Sequence, residues 1–286
     1  MQADGSQLIF WRSSTNHLME AWQNGVWNGP ADWTANNGWS ATVDSTPSVT
    51  LGANGTQLVF WQGPGNHLFE AWVASNGWNG PIDWTANNHW APSMSSAPSA
   101  VIQTNGVQMI FWQGSGHLFE AWVDVNGWHG PLDWTAFNHW APSVVSAPTI
   151  HLQADGSQLV FWQGPGGHLF EAWFTGAWHG PLDWTAFEGW APTVTSTPSV
   201  ALIGSAQAIF WQGPGGHLFE AWNDAQGWHG PLDWTTWVFH GTFPLTSAPS
   251  VVLSGQAQLI WWQGAGGHLV EAWFTGSWNG PFDWSG

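Results

Sequence analysis

Apolar residues in this chain come in short crowded bursts. The pattern is clearest over residues 158 to 184, QLVFWQGPGGHLFEAWFTGAWHGPLDW. Three bursts recur, QLVFW, HLFEAW and GPLDWT, and a PSV-type burst precedes most copies, at 47 to 51, 98 to 102, 148 to 152, 198 to 202 and 249 to 253. Each is rich in aromatic or branched residues and is bounded by Gly, Pro, Asn or Ser, which is how strands and turns punctuate a sequence. Alternation between apolar and polar positions within a burst is weak. That predicts strands covered on both faces, as when a small sheet is sandwiched between two neighbours.

The bursts repeat with a fixed period. The Trp of the EAW triplet falls at Trp22, Trp72, Trp122, Trp173, Trp222 and Trp273, with spacings of 50, 50, 51, 49 and 51 residues. A period of about 40 to 50 residues marks a propeller or solenoid built from one supersecondary unit. The expected architecture is therefore all-β: a six-bladed β-propeller of roughly 50-residue, four-stranded blades. A repeat covering the whole chain argues for a single domain over 1–286, with repeats at about 1–46, 47–96, 97–146, 147–196, 197–247 and 248–286. The QADGSQL opening of the first copy matches residues 153 to 159, so that copy lacks its PSV-type strand and 23 strands are expected. The termini are expected to meet in one shared or incomplete blade that closes the ring, although a short truncation at the N-terminus explains the deficit equally well.

Strand order sorts the connections onto two rims. The Gly-rich loop after QLVFW and the long connector after DWT share one rim, and the turns before QLVFW and before the WHG segment share the other. The first rim is the richer in candidate chemistry. It carries the connector residues Trp39, Trp90, Trp140 and Trp190, the residues Gln62, Gln113, Gln163 and Gln212 beside the Gly-rich loop, and His67, His117, His168 and His217 just after it. A rim indole offers a flat apolar platform for the C–H face of a pyranose, and amide and imidazole groups can take the hydroxyls. These twelve residues are the candidate carbohydrate contacts. Copy five departs here, with Trp237 and Phe239 in its connector, and copy six has no connector, so unequal sites are expected, the better ones belonging to copies one to four.

Charge removes several function classes. One basic residue, Arg12, stands against 18 acids, for a formal charge of -17. Phosphate backbones need Lys and Arg, so nucleic acid is not an expected partner, and anionic membranes are disfavoured for the same reason. No apolar run approaches the roughly 20 residues of a membrane helix, and the first residues do not form a signal peptide. Twelve of the 18 acids belong to the repeat: Glu20, Glu70, Glu120, Glu171, Glu220 and Glu271 in HLxEAW, and Asp32, Asp83, Asp133, Asp183, Asp233 and Asp283 in GPxDW. A carboxylate placed identically in every blade is expected to accept backbone or indole N–H bonds, since an unpaired buried charge is costly. Contact with two sugar hydroxyls is the alternative. The six His residues that follow the Gly-rich loops start separate blades, and with no H-x-H or C-x-x-C cluster, neither a metal nor another cofactor is expected. The Trp residues of FW, EAW and DW are expected to pack between blades.

Residues 245 to 284, LTSAPSVVLSGQAQLIWWQGAGGHLVEAWFTGSWNGPFDW, resemble one blade of the Photorhabdus-type bacterial β-propeller lectins and the related tectonin-like repeats. The resemblance rests on an APAV-type strand, a strand ending in an aromatic, a Gly-containing turn, an L-aromatic-x-x-W strand and a closing W-x-G, and it extends over all six copies. It implies monosaccharide binding between blades, of fucose or O-methylated sugars. The best-known members have seven blades where six are counted here. The chain is also similar to six-bladed fucose lectins of the Aleuria type, whose Arg clamp Arg12 could supply at one site only.

Nearly every polar feature is present six times, whereas an enzyme needs one unique constellation. No enzymatic activity is expected. The reading is a multivalent lectin for mono- or oligosaccharides and cell-surface glycoconjugates, acting outside the cell. A non-catalytic scaffold for protein or cell wall is the runner-up, and a glycosidase using one blade's carboxylates ranks third.

Overall fold

The computed structural model describes residues 6–52, 54–91, 93–141, 143–191, 193–203, 206–255 and 257–285. Its described residues form 23 strands in six antiparallel sheets. Blade two shows the plan: strands Ser48–Leu51, Gln57–Gly63, His67–Ala74 and Gly77–Asp83, hydrogen-bonded in that order. Blades three to six repeat it. Blade one holds three strands, Gln7–Arg12, Leu18–Gln23 and Trp27–Asp32. The question of a PSV-type strand at its start falls partly on residues 1–5, outside the described residues. The chain divides into two compact units, 1–143 with blades one to three and 144–286 with blades four to six. Among the described residues no helix is long and apolar enough to cross a membrane.

Within each unit the second strand explains the weak alternation of the sequence. In Gln57–Gly63, Val59 and Trp61 are buried against Leu18 and Val43 of repeat one, while Leu58 and Phe60 are buried against Ile110 and Trp112 of blade three. The second unit does the same: Ile209 and Trp211 face blade four, and Ala208 and Phe210 face blade six. Period 2 is intact, but both of its faces are core.

The DWT triplet, expected as the end of the fourth strand, splits into two elements. The strand stops at Asp83 and a one-turn helix, Trp84–Asn87, begins. Asp83 is its N-cap: Oδ1 accepts from the Ala86 N–H at 2.8 Å, and Oδ2 lies 2.8 Å from His67 Nδ1. The Thr85 hydroxyl oxygen accepts from the Leu68 N–H at 2.9 Å, pinning the helix to the third strand. The same three bonds recur in the first five blades, and in blade six Ser285 takes the place of Thr. The repeated His–Asp pair is thus a clasp between the third strand and the cap.

Next to the clasp, each third strand carries an irregularity between Glu and Trp, such as Glu120 and Trp122. Gly130 lies against it with φ +86°, and a Cβ there would approach the Glu120 carbonyl oxygen to 2.8 Å. Gly127, three residues earlier, has φ +104° but open space around it. Gly130→Ala therefore suffers both backbone strain and collision, and Gly127→Ala strain alone. The expected outcome in urea denaturation is a loss of about 1–3 kcal/mol for Gly130→Ala and a smaller one for Gly127→Ala.

Candidate functional site

Between blades two and three a cleft of about 820 Å³ opens on the rim that carries Gly52, Asn54 and Thr56 of blade two and the turn 103–106 of blade three. The volume lies within the roughly 300–1,000 Å³ typical of small-molecule sites. Blade two contributes Glu70, Trp72, Ile82 and Trp84; blade three contributes Ile102, Gln108, Val123 and Trp128.

Strand geometry places these groups. Leu68, Glu70 and Trp72 alternate onto the face of blade two that meets blade three; Leu68 enters the core while Glu70 and Trp72 line the opening. On blade three Val123 pairs across the ladder with Trp128, and both face back. The cap at Asp83 fixes Trp84 at the first helical position, from which its Nε1 donates to Glu70 Oε2 at 2.6 Å. The Trp84 ring meets that of Trp128 at 5.0 Å and 47°. Glu70 is 5% exposed, and burial pushes its carboxyl up to about 7 against the opposing pull of the Trp84 hydrogen bond. Gln108 Oε1 is buried without a hydrogen-bond partner.

The arrangement recurs at the other junctions inside the two units. Glu20, Trp33 and Trp78 repeat it between blades one and two, Glu171, Trp184 and Trp228 between four and five, and Glu220, Trp234 and Trp278 between five and six. Indole pairs there meet at 4.9 to 5.3 Å. Burial likewise lifts Glu171 and Glu220 to about 7 and raises Glu20. Gln207 and Gln258 share the unpartnered Oε1 of Gln108.

The twelve residues singled out from sequence lie elsewhere, and none lines this cleft. Trp39, Trp90, Trp140 and Trp190 are half-buried. Trp90 stacks on Trp112 at 6.3 Å and turns its edge to Trp128 at 5.4 Å, so it backs the cleft wall from within. Trp112 continues through Phe119 to His117, making Trp90 and His117 the two ends of one aromatic column. Trp190, Trp211, Phe219 and His217 form the corresponding column. His67, His117, His168 and His217 each hold an Asp through Nδ1 at 2.7 to 2.8 Å and remain a third or more exposed. Gln62 donates to Asn66 Oδ1 and the Met94 carbonyl, and Gln212 to the Leu245 carbonyl. Gln113 and Gln163 sit half-buried on the same rim. In copy five Phe239 takes the place of the connector Trp, stacked on Trp262 and edge-on to Trp278, while Trp237 stands 66% exposed. Among the described residues no three His, Asp or Glu side chains gather to hold a metal ion.

No family model and no curated protein matches the sequence. Solved structures do match its fold. A lectin from Burkholderia pseudomallei is 22% identical with a TM-score of 0.62, covering 97% of this chain and 80% of its own. AofleA from Arthrobotrys oligospora is 15% identical with a TM-score of 0.72, covering 96% and 81%. The Aleuria aurantia lectin, a six-bladed β-propeller with its own fucose recognition mode, is 15% identical with a TM-score of 0.71, covering 96% and 89%. The fold is a six-bladed β-propeller. In this propeller the candidate site is a junction between adjacent blades, floored by an acid and walled by indoles.

The buried acids give a pH signature. Glu70, Glu120, Glu171, Glu220 and Glu271 sit at about 7 in the folded chain because burial disfavours their charge, against 4.5 as the ordinary value. The folded state therefore binds more protons than the unfolded state between about pH 4.5 and 7, and stability falls as pH rises through that window. Asp32, held low chiefly by its bond to His17, acts in the opposite sense only in stronger acid. The expected melting temperature is higher near pH 5 than near pH 8, with a shallower slope in Glu120→Gln; a melting temperature that rises across this interval contradicts the burial of these charges.

Proposed function

We propose that this chain is a multivalent carbohydrate-binding lectin, with all six repeats over 1–286 working as one domain and monosaccharides seated between blades. The observation that carries the reading is the cleft between blades two and three. It combines three indoles, one carboxylate and one unpartnered amide oxygen; the acid and its indole pair recur at the other junctions inside the units, and the unpartnered amide oxygen recurs in the second unit at Gln207 and Gln258. Indole faces accept the apolar face of a pyranose, and buried acceptors reward its hydroxyls. The fold neighbours support it: one is a Burkholderia lectin, and Aleuria aurantia lectin structures hold α-methyl-L-fucoside and Fucα1-6GlcNAc. Fucose or O-methylated sugars, as in the Photorhabdus-type lectins the repeat resembles, are the first ligands to try.

Binding rather than turnover is the reading because Glu70 is the one carboxylate among the described residues lining the cleft. Glycoside hydrolysis ordinarily requires a pair. A single site of this kind is worth about 4 kcal/mol, a millimolar affinity. Several of them on one glycan-coated surface raise effective affinity by about 10² to 10⁴.

A second location has its own support. On the opposite rim the His rings are partly exposed beside Gln62, Gln113, Gln163 and Gln212, with Trp39, Trp90, Trp140 and Trp190 behind. Blade three separates the two locations, since it contributes Gln108 to the cleft and Gln113 to the rim. In calorimetry with the sugar found by glycan screening, Gln108→Ala is expected to remove one site from the stoichiometry and Gln113→Ala to leave it intact. The reverse result moves the site to the rim, and a screen in which no glycan binds removes the lectin reading.

A further inference from the structure

We propose that the inter-blade clefts select sugars carrying a free, protonated amine, so that the preferred ligand is an unacetylated amino sugar or a polymer of such units. The inference rests on the reading of the cleft as a sugar site and goes beyond it by naming the group that decides affinity.

The argument begins with what the cleft lacks. Glu70 is buried and accepts from the Trp84 N–H, and no Lys, Arg or His is among the described residues lining the cleft. The chain's single basic side chain, Arg12, donates to the Asp44 carbonyl in repeat one. A carboxylate taken out of water without a cation is strongly disfavoured, and here the protein supplies none. The second buried polar atom, Gln108 Oε1, is also an acceptor without a donor. Asn54, Thr56, Gln103 and Thr104 bring neutral donors to the lining, but no residue there brings positive charge, which an ammonium supplies.

The walls point the same way. An ammonium over an indole face, within about 6 Å of its centre, is attracted by the ring quadrupole, most strongly when desolvated. Trp72, Trp84 and Trp128 surround the space in which Glu70 sits. The formal charge of -17 adds a field that draws cations toward the surface. A neutral hydroxyl also satisfies a lone pair of Glu70 but leaves its charge uncompensated, and an N-acetyl group carries no charge to offset it.

The test uses the intact chain and three sugars that differ only at carbon 2: glucosamine, N-acetylglucosamine and glucose. Titration calorimetry near pH 7, where Glu70 begins to ionise, is expected to rank glucosamine at least about tenfold tighter than the other two. No other titratable or charged side chain is among the described residues lining the cleft with Glu70, so the preference is expected to vanish near pH 5. Near pH 7 the amine displaces a proton from the carboxyl, so the measured heat should depend on the ionisation enthalpy of the buffer. Glu70→Gln should lower the glucosamine stoichiometry by one. Equal affinity for glucosamine and glucose at both pH values overturns the proposal and leaves the lectin reading standing; a preference for N-acetylglucosamine does the same. Failure of all three sugars to bind overturns this proposal, and the lectin reading falls with it only if the glycan screen, fucose and O-methylated sugars included, also finds no ligand.

Discussion

A buried carboxyl group held by an indole N–H is the contact on which both the fold and the candidate site depend. Glu70 lies in the third strand of its blade, and Trp84 stands at the first position of the helix after the fourth. Their bond crosses the blade and turns the Trp84 ring outward, where Trp128 of the next blade packs on it. One hydrogen bond thus closes the edge of one sheet and sets the surface offered to its neighbour. The cost is an acid held out of water, which the protein meets only in part, and that shortfall gives the cleft its chemistry.

Every other repeated feature serves to hold that contact in place. The Asp cap and its His clasp stop the strand where the indole must leave it. The Thr hydroxyl ties the same turn to the third strand. The Gly before each Pro of the fourth strand lets its backbone pass within touching distance of the Glu carbonyl, a place where any side chain would collide. Core packing then makes the junction rigid: the FW indoles Trp61, Trp112, Trp162 and Trp211 are almost wholly buried, and the connector indoles Trp39, Trp90 and Trp190 stack on their neighbours among them.

Much of this was legible in the sequence. The 50-residue period named the architecture, the crowded bursts located the strands, and the cost of burying charge foretold that Glu and Asp would accept N–H bonds. Two things were not legible. The DWT triplet looked like strand, because its capping role appears only when Asp Oδ1 is seen to accept from the Ala86 N–H three residues on. The inter-blade cleft was also hidden, since strand order sorts loops between rims without locating the gaps between adjacent blades. Trp72, Trp84 and Trp128 look like core indoles in one dimension, and each does touch the core. All three also line the cleft between blades two and three. Trp90 holds the loop position expected of a ligand platform, with one face stacked on Trp112 and an edge-on contact with Trp128.

The central claim is that sugar enters between blades, against the acid and its indoles. A crystal structure of the chain soaked with a bound monosaccharide tests it most directly. The account predicts a pyranose between blades two and three, in contact with Trp128 and within hydrogen-bonding distance of Glu70 and Gln108. Density for the sugar against His67, Gln62 and Trp90 on the opposite rim, with the cleft left to solvent, would contradict it.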